Sequence, residues 1–169
     1  MRGYFGIGVE GISKADNLGA VLRTGHAFGA SFAFSIGATK NALDVRKTDT
    51  SRSTAHLPYY DWDDFGSMVL PKGCELIGVE LTDDAVDLPE FRHGLNCAYI
   101  LGPEKGELSP QVQEACAAIV KIPTKFCINV SLAAALTLYD REIYFGGYKS
   151  RPLASNLAAR QRRKPSAQI

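Results

Sequence analysis

Residues 122–139, IPTKFCINVSLAAALTLY, decide how this 169-residue chain is read. The apolar run from Ala118 to Ile122 before them predicts a short strand. It stops at Pro123, which has no N–H to give to a sheet. Thr124 to Cys127 is a polar link. Asn129 then stands where a helix would begin, with Ser131 two residues on, so a cap is available. From Val130 to Tyr139 the Ala- and Leu-rich composition favours a closely packed helix. A strand, a tight polar loop and a capped helix gather backbone N–H groups where a ligand can meet them. Taken alone, the same pattern also describes an ordinary crossover helix.

Working outward, the rest of the chain repeats the alternation of strand and helix. Tyr4 to Glu10, YFGIGVE, predicts a buried strand. Asn17 to Phe28 predicts a helix with Asn17 as its cap, Leu18, Val21, Leu22 and Phe28 as its buried stripe, and Gly29 ending it. Arg23 falls in its interior. Ser31 to Gly37 predicts the next strand, which makes a βαβ unit and hence a parallel sheet. Asp61-Trp62-Asp63-Asp64 reads as the acidic first turn of a short helix. Cys74–Glu80 and Cys97–Leu101 are further strands, and residues 82–93 a loop with a possible helical turn. Pro110 to Ala118 is a helix capped by Ser109 with Pro110 at its first position. The fold class expected is α/β, an open, mostly parallel sheet with helices on both faces. Ligands of such sheets bind beyond the C-terminal strand ends. The loops after Glu10, Leu101 and Ile122 meet at that edge.

Composition narrows the functional classes. A 46% hydrophobic, 22% charged chain of this length is one globular domain. No apolar run is long enough for a membrane span, and the start MRGYFGIGVEG has no signal-peptide pattern, so the cytoplasm is expected. The widely spaced Cys74, Cys97, Cys116 and Cys127 predict reduced thiols, with neither a metal site nor a disulfide framework. Six of the 19 basic residues and none of the 18 acidic ones lie in residues 149–169, so residues 1–148 carry a net charge of −5. The division expected is a domain over 1–148 and a basic tail over 149–169. Arg160, Arg162, Arg163 and Lys164 of the tail suit a phosphate backbone or a solubilising end equally. Arg46, Lys47 and Arg52, set among hydroxyls, suit phosphate contacts or a solvated loop.

Gly102-Pro103-Glu104-Lys105-Gly106 is neither a dinucleotide nor a P-loop signature. Its glycines permit close approach to a ligand, and Glu104 either orients that ligand or makes a structural hydrogen bond. Three segments carry a more specific pattern. The first is Asn17, followed six residues later by Arg23-Thr24 and then by Ala27-Phe28-Gly29. The second is Tyr99-Ile100-Leu101 running into Gly102, Glu104, Gly106, Leu108 and Ser109. The third is Ile122-Pro123, then Cys127-Ile128-Asn129-Val130-Ser131. Together and in this order, over about residues 4–145, they resemble the SPOUT superfamily of RNA methyltransferases, in its SpoU/TrmH branch.

The resemblance implies a C-terminal trefoil knot, a homodimer, and S-adenosylmethionine as the cofactor, bent within the knot. The reaction implied is methylation of a ribose 2′-hydroxyl in transfer or ribosomal RNA. Its catalytic residues correspond to Arg23, Asn17, Glu104 and Asn129. Its cofactor contacts correspond to Leu101, Gly102, Glu104, Gly106, Ile122, Pro123, Cys127, Ile128 and Ser131. Arg23 would also meet RNA, with Arg46, Lys47, Arg52 and the tail. Guanidinium does not readily deprotonate, so a charged Arg23 fits phosphate binding or alkoxide stabilisation better than base catalysis. Cys127 replaces the third motif's first serine, exchanging a hydroxyl for a weak thiol. The loop before it is short, and no separate N-terminal RNA-binding domain is expected. The rival functions are an RNA-binding knot protein without catalysis and a base-modifying enzyme of the same superfamily.

Overall fold

The computed structural model describes residues 3–44 and 56–148. Among these residues, seven strands form one sheet: β1 (Tyr4–Glu10), β2 (Phe32–Ile36), β3 (Tyr59–Trp62), β4 (Glu75–Val79), β5 (Val86–Asp87), β6 (Asn96–Leu101) and β7 (Ala118–Lys121). Their spatial order is β3-β2-β1-β6-β4-β7-β5, and every recorded pairing is parallel. The helices are α1 (Ala15–Ala27), α2 (Lys40–Leu43), α3 (Pro110–Ala115) and α4 (Val130–Tyr144). This is the α/β architecture expected from the sequence. The chain winds outward from β1 through β2 to β3, and β6 occupies β1's other side. The loops leaving β1 and β6 therefore diverge, which opens a crevice at the C-terminal edge.

Alternation along each strand assigns side chains to two cores. Phe5, Ile7 and Val9 of β1 and Cys97, Tyr99 and Leu101 of β6 pack under α1 and α4, against Leu18, Leu22, Ala134 and Leu138. On the other face, Phe32, Phe34, Ile100, Leu108 and Val112 form a second cluster beside α3. There β1 presents Tyr4 at its start, packed beside Phe32, and then Gly6 and Gly8. The rings of Phe32 and Phe34 lie over them so closely that an added Cβ would sit 2.4 Å away in either case. The aromatic rings of β2 thus supply the packing at the two positions where β1 has no side chain.

Four local expectations change. Asn17 is not a cap: α1 begins at Ala15, after Lys14, and Asn17 lies inside the first turn with its side chain bonded elsewhere. The acidic stretch 61–64 is not the start of a helix. Tyr59 to Trp62, rich in aromatics, extends as edge strand β3, and Asp64 caps only the 3₁₀ turn Phe65–Ser67. Within 82–93 the chain forms the two-residue β5 as well as a 3₁₀ turn over Leu88–Glu90. Helix α3 ends at Ala115 rather than Ala118, because Ala118 opens β7. The caps at Ser109 and Asn129 and the positive-φ Gly29 stand as expected.

Helix α4 leaves the far side of β7 and returns across the sheet to α1. Its last turns are fastened by a buried cation. The Arg141 guanidinium donates to the carbonyls of Gly94 (2.6 Å) and Leu95 (3.2 Å) and lies between the rings of Phe5 and Phe145. Next to it, His93 bonds Tyr99 Oη through Nδ1 (2.5 Å) and Asp140 through Nε2 (3.0 Å). This explains why the helix runs on through Asp140 and Arg141 instead of stopping at Tyr139.

Candidate active site

The loop from Gly102 to Ser109 is fastened by three carboxylates, each meeting backbone N–H donors. Glu10, at the end of β1, accepts from Ser109 (2.7 Å). Glu80, just past β4, accepts from Leu108 (3.0 Å). Glu104, in the loop itself, accepts from the N–H groups of Ser13 (3.0 Å) and Lys14 (3.1 Å), from the Ser13 hydroxyl and from Asn17 Nδ2 (both 3.0 Å). Four donors fill the acceptor capacity of one carboxylate. Burial by itself would raise the Glu104 pKa. The donors from Asn17, the loop backbone and Ser13 outweigh it and hold the group below the usual glutamate value. Of the two roles the sequence left open for Glu104, the structure thus shows the hydrogen-bonding one, and it also shows the carboxylate bordering the cleft described below.

From Glu104 the contacts run on into the third motif. Asn17 Oδ1 accepts from Asn129 Nδ2 (3.1 Å), while Asn129 Oδ1 accepts from the Ser131 N–H (2.8 Å) and hydroxyl (2.6 Å). Both amides are thereby oriented: each donates toward Glu104 and accepts on the other side. Residues from three separate segments form a single relay at the C-terminal edge of the sheet.

The relay borders a cleft of about 410 Å³ between β4, β6, β7 and α4. Of the residues expected to hold a cofactor, Leu101, Gly102, Glu104, Gly106, Ile122, Cys127 and Ile128 line it, as do Asn17 and Asn129. Pro123 and Ser131 do not, and Ser131 acts instead on the Asn129 amide. Cys127 is exposed at the cleft, and the neighbouring Thr124 hydroxyl braces its loop by donating to the Phe126 carbonyl (2.9 Å). Arg23 is exposed on α1 and is not part of the cleft wall. Six residues beyond Asn17, it lies about 9 Å along the helix and about 120° around it. Arg46, Lys47, Arg52, Arg160, Arg162, Arg163 and Lys164 lie outside the described residues. The sequence reading missed Lys14 and the stretch Val79-Glu80-Leu81, all of which line the cleft. Strand β4 lies between β6 and β7, so its end falls in the middle of the site, yet no helix cap or glycine-rich loop follows it to announce it.

A family model for the SpoU rRNA Methylase family matches residues 5–139, which include all three segments of the relay. The chain belongs to the SpoU rRNA Methylase family. Two relatives, the tRNA (guanosine(18)-2′-O)-methyltransferases of two strains of Thermus thermophilus, are 27% identical over 139 residues, covering 79% of this chain and 72% of theirs. Among solved structures, the SpoU methyltransferase AviRb from Streptomyces viridochromogenes superposes with a TM-score of 0.74 at 20% identity. That match covers 87% of this chain but only 62% of AviRb. The form of AviRb in complex with AdoMet gives 0.72 at 22% identity, covering 83% of this chain and 57% of that one. A structure concerned with 2-OH methylation of C/U34 on tRNA gives 0.72 at 19% identity, covering 86% of this chain and 99% of its own. At these identities the superpositions establish a SpoU-type fold. Among the described residues, this SpoU family member has no helix long and apolar enough to cross a membrane and no cluster of potential metal ligands.

Proposed function

We propose that this chain is an S-adenosylmethionine-dependent RNA methyltransferase that modifies a ribose 2′-hydroxyl of transfer or ribosomal RNA. The observation that carries this reading is the Glu104–Asn17–Asn129 relay at the mouth of the cleft, joining the three motifs of the family in one hydrogen-bonded unit. The lining also fits the cofactor. Val79, Leu101, Ile122, Ile128 and Ala133 offer an apolar wall for an adenine ring, with the Glu80 carboxylate as an acceptor beside it. Bound there, the cofactor would supply an electrophilic methyl group.

Each residue then has a definite task. Glu104, with no acceptor capacity to spare, holds the loop before α1 against the Gly102–Ser109 loop, and Asn17 and Asn129 pass that alignment to the start of α4. Cys127 and Ile128 face the cofactor from the short loop. Arg23, charged throughout, binds the phosphate next to the target ribose or stabilises the negative charge that develops on its 2′-oxygen as the proton leaves. Because Arg23 does not border its own chain's cleft, RNA or a second copy of the chain must complete the site.

A homodimer belongs to this proposal. Leu132, Leu136, Tyr139 and Ile143, at spacings of four, three and four, leave an exposed apolar stripe along α4, 40–58% accessible at each position. The domain of residues 1–148, the C-terminal trefoil knot, RNA contacts from residues 149–169 and a cytoplasmic setting, which suits four free cysteines, complete the reading.

The decisive experiment combines titration of the purified protein with S-adenosylmethionine and transfer of labelled methyl groups to total tRNA and rRNA, followed by alkaline hydrolysis. Binding, with label retained in alkali-resistant dinucleotides, is the expected result, since a 2′-O-methyl group blocks strand cleavage. Label on a base would support a base-modifying enzyme. Failure of the folded protein to bind the cofactor would leave an RNA-binding protein without catalysis.

A further inference from the structure

Among the described residues, the charged side chains lining the cleft are Lys14, Glu80 and Glu104, and of the two carboxylates Glu80 alone retains acceptor capacity. The four acceptor positions of Glu104 are occupied by the Ser13, Lys14 and Asn17 donors. Glu80 accepts two recorded bonds, from its neighbour Leu81 N–H at Oε1 (3.0 Å) and from Leu108 N–H at Oε2 (3.0 Å). About two lone-pair directions of a carboxylate therefore remain for a ligand. The group is half-buried and held from both ends, its own backbone N–H being bonded to the Val120 carbonyl (3.0 Å). It cannot swing freely into solvent.

Its place in the cleft is equally specific. Glu80 follows the central strand β4, and its Oε2 lies against Gly102: a Cβ built on that glycine would stand 2.5 Å from it. With Glu80 in this place, Gly102 has no room for a side chain. The wall next to it, Val79, Leu101 and Ile122, is apolar. An adenosyl group laid on that wall carries one pair of adjacent O–H donors, the 2′- and 3′-hydroxyls of its ribose. A fixed carboxylate with two unused acceptor directions is suited to both.

We propose that Glu80 is the ribose-recognising residue of the cofactor cleft, its carboxylate accepting hydrogen bonds from the two ribose hydroxyls of the adenosyl group. This rests on the reading that the cleft binds S-adenosylmethionine. Glu80 then does two things at once. It ties the Gly102–Ser109 loop to β4, and it makes affinity depend on an intact ribose diol. Bonds to an ionised acceptor are the stronger kind, so the diol carries an appreciable share of the binding.

The experiment is calorimetric titration of the full chain with S-adenosylmethionine, S-adenosylhomocysteine and the 2′,3′-dideoxyribose analogue of S-adenosylhomocysteine. The unaltered protein, Glu80→Gln and Glu80→Ala are compared, each checked for folding by circular dichroism. The unaltered protein is expected to bind S-adenosylhomocysteine at least about tenfold more tightly than the dideoxy analogue. Glu80→Gln and Glu80→Ala are expected to weaken S-adenosylhomocysteine much more than the analogue, so that the ratio collapses toward one, with any loss from the loosened loop falling on both ligands alike. A role confined to holding the loop would weaken both ligands together and preserve the ratio, and that result overturns the proposal. So does an unchanged ratio with unchanged affinities. If the unaltered protein binds S-adenosylmethionine while the ratio persists in Glu80→Gln, only the assignment of Glu80 fails. If the unaltered protein binds no adenosyl ligand at all, the methyltransferase reading fails with it.

Discussion

Asn129 Nδ2 donates to Asn17 Oδ1 at 3.1 Å, across 112 residues of sequence. Asn17 has its other end on Glu104, and Asn129 has its other end on Ser131. Neither amide can turn over without losing its bonds on both sides. Asn17→Ala and Asn129→Ala should therefore each lower kcat/KM for methyl transfer, and the double variant should cost less than the sum. A double-mutant cycle should give a coupling of about 0.5–3 kcal/mol, as for residues in one hydrogen-bonded unit. Strict additivity would show that the two amides act independently.

Arg23 is exposed and stands apart from the cleft wall. Arg23→Ala should leave S-adenosylmethionine affinity close to that of the unaltered protein and reduce transfer to RNA by about 10²-fold or more, the scale of losing one charge-stabilising donor. Substantial turnover by this variant would remove Arg23 from the chemistry. Arg23→Lys separates its roles: an ammonium still meets a phosphate as a point charge but lacks the planar fork.

His93 predicts an acid-sensitive core. Burial lowers its pKa below the ordinary 6.5, and the Asp140 contacts that oppose this do not fully offset it. The neutral ring accepts from Tyr99 Oη and donates to Asp140, while burial raises the Tyr99 phenol far above its usual value and keeps it protonated. Between the folded and unfolded pKa values, the unfolded chain binds more protons. Stability is consequently full above about pH 6.5 and declines as pH falls through the folded value. Melting temperature against pH should show this decline, and His93→Gln should flatten it while lowering stability at pH 8.

The exposed stripe of α4 tests the dimer. Leu136→Asp places a charge in the middle of it, at a side chain that is 44% exposed in the single chain. Sedimentation equilibrium should find a monomer that retains its helical circular dichroism. A dimer of unchanged strength would locate the interface elsewhere.

Gly8→Ala tests the packing under β2. Its new methyl group would meet the Phe34 ring at 2.4 Å, so the ring must move in a close-packed layer. A loss of about 1–3 kcal/mol in denaturant unfolding is expected. A neutral effect would mean that the aromatic layer has slack.

The structure bears out the sequence reading most closely where a residue acts through its own backbone or its nearest neighbours. Asn129 and Ser109 are helix caps because their side chains need only reach two or three residues along the chain. The same locality misled at Asn17, an equally good cap by composition. Its side chain is engaged by Glu104, 87 residues away, and α1 starts two residues earlier. Edge strand β3 was missed because its pairing with β2 is non-local, whereas the acids at 61–64 carry a local helix signal.

By itself, then, the sequence determined the alternation of strands and helices, the edge at which the site lies, and the three motifs that mark the family. These follow from periodicity, capping and residue type, all carried along the chain. Only the tertiary structure decided that β4 stands between β6 and β7, which brings Glu80 beside Gly102 and gives that glycine its reason. It also decided that Arg141 is fastened under α4 by two carbonyls and two aromatic rings. Strand order and the burial of a charge depend on which distant segments share space, and no local pattern encodes that.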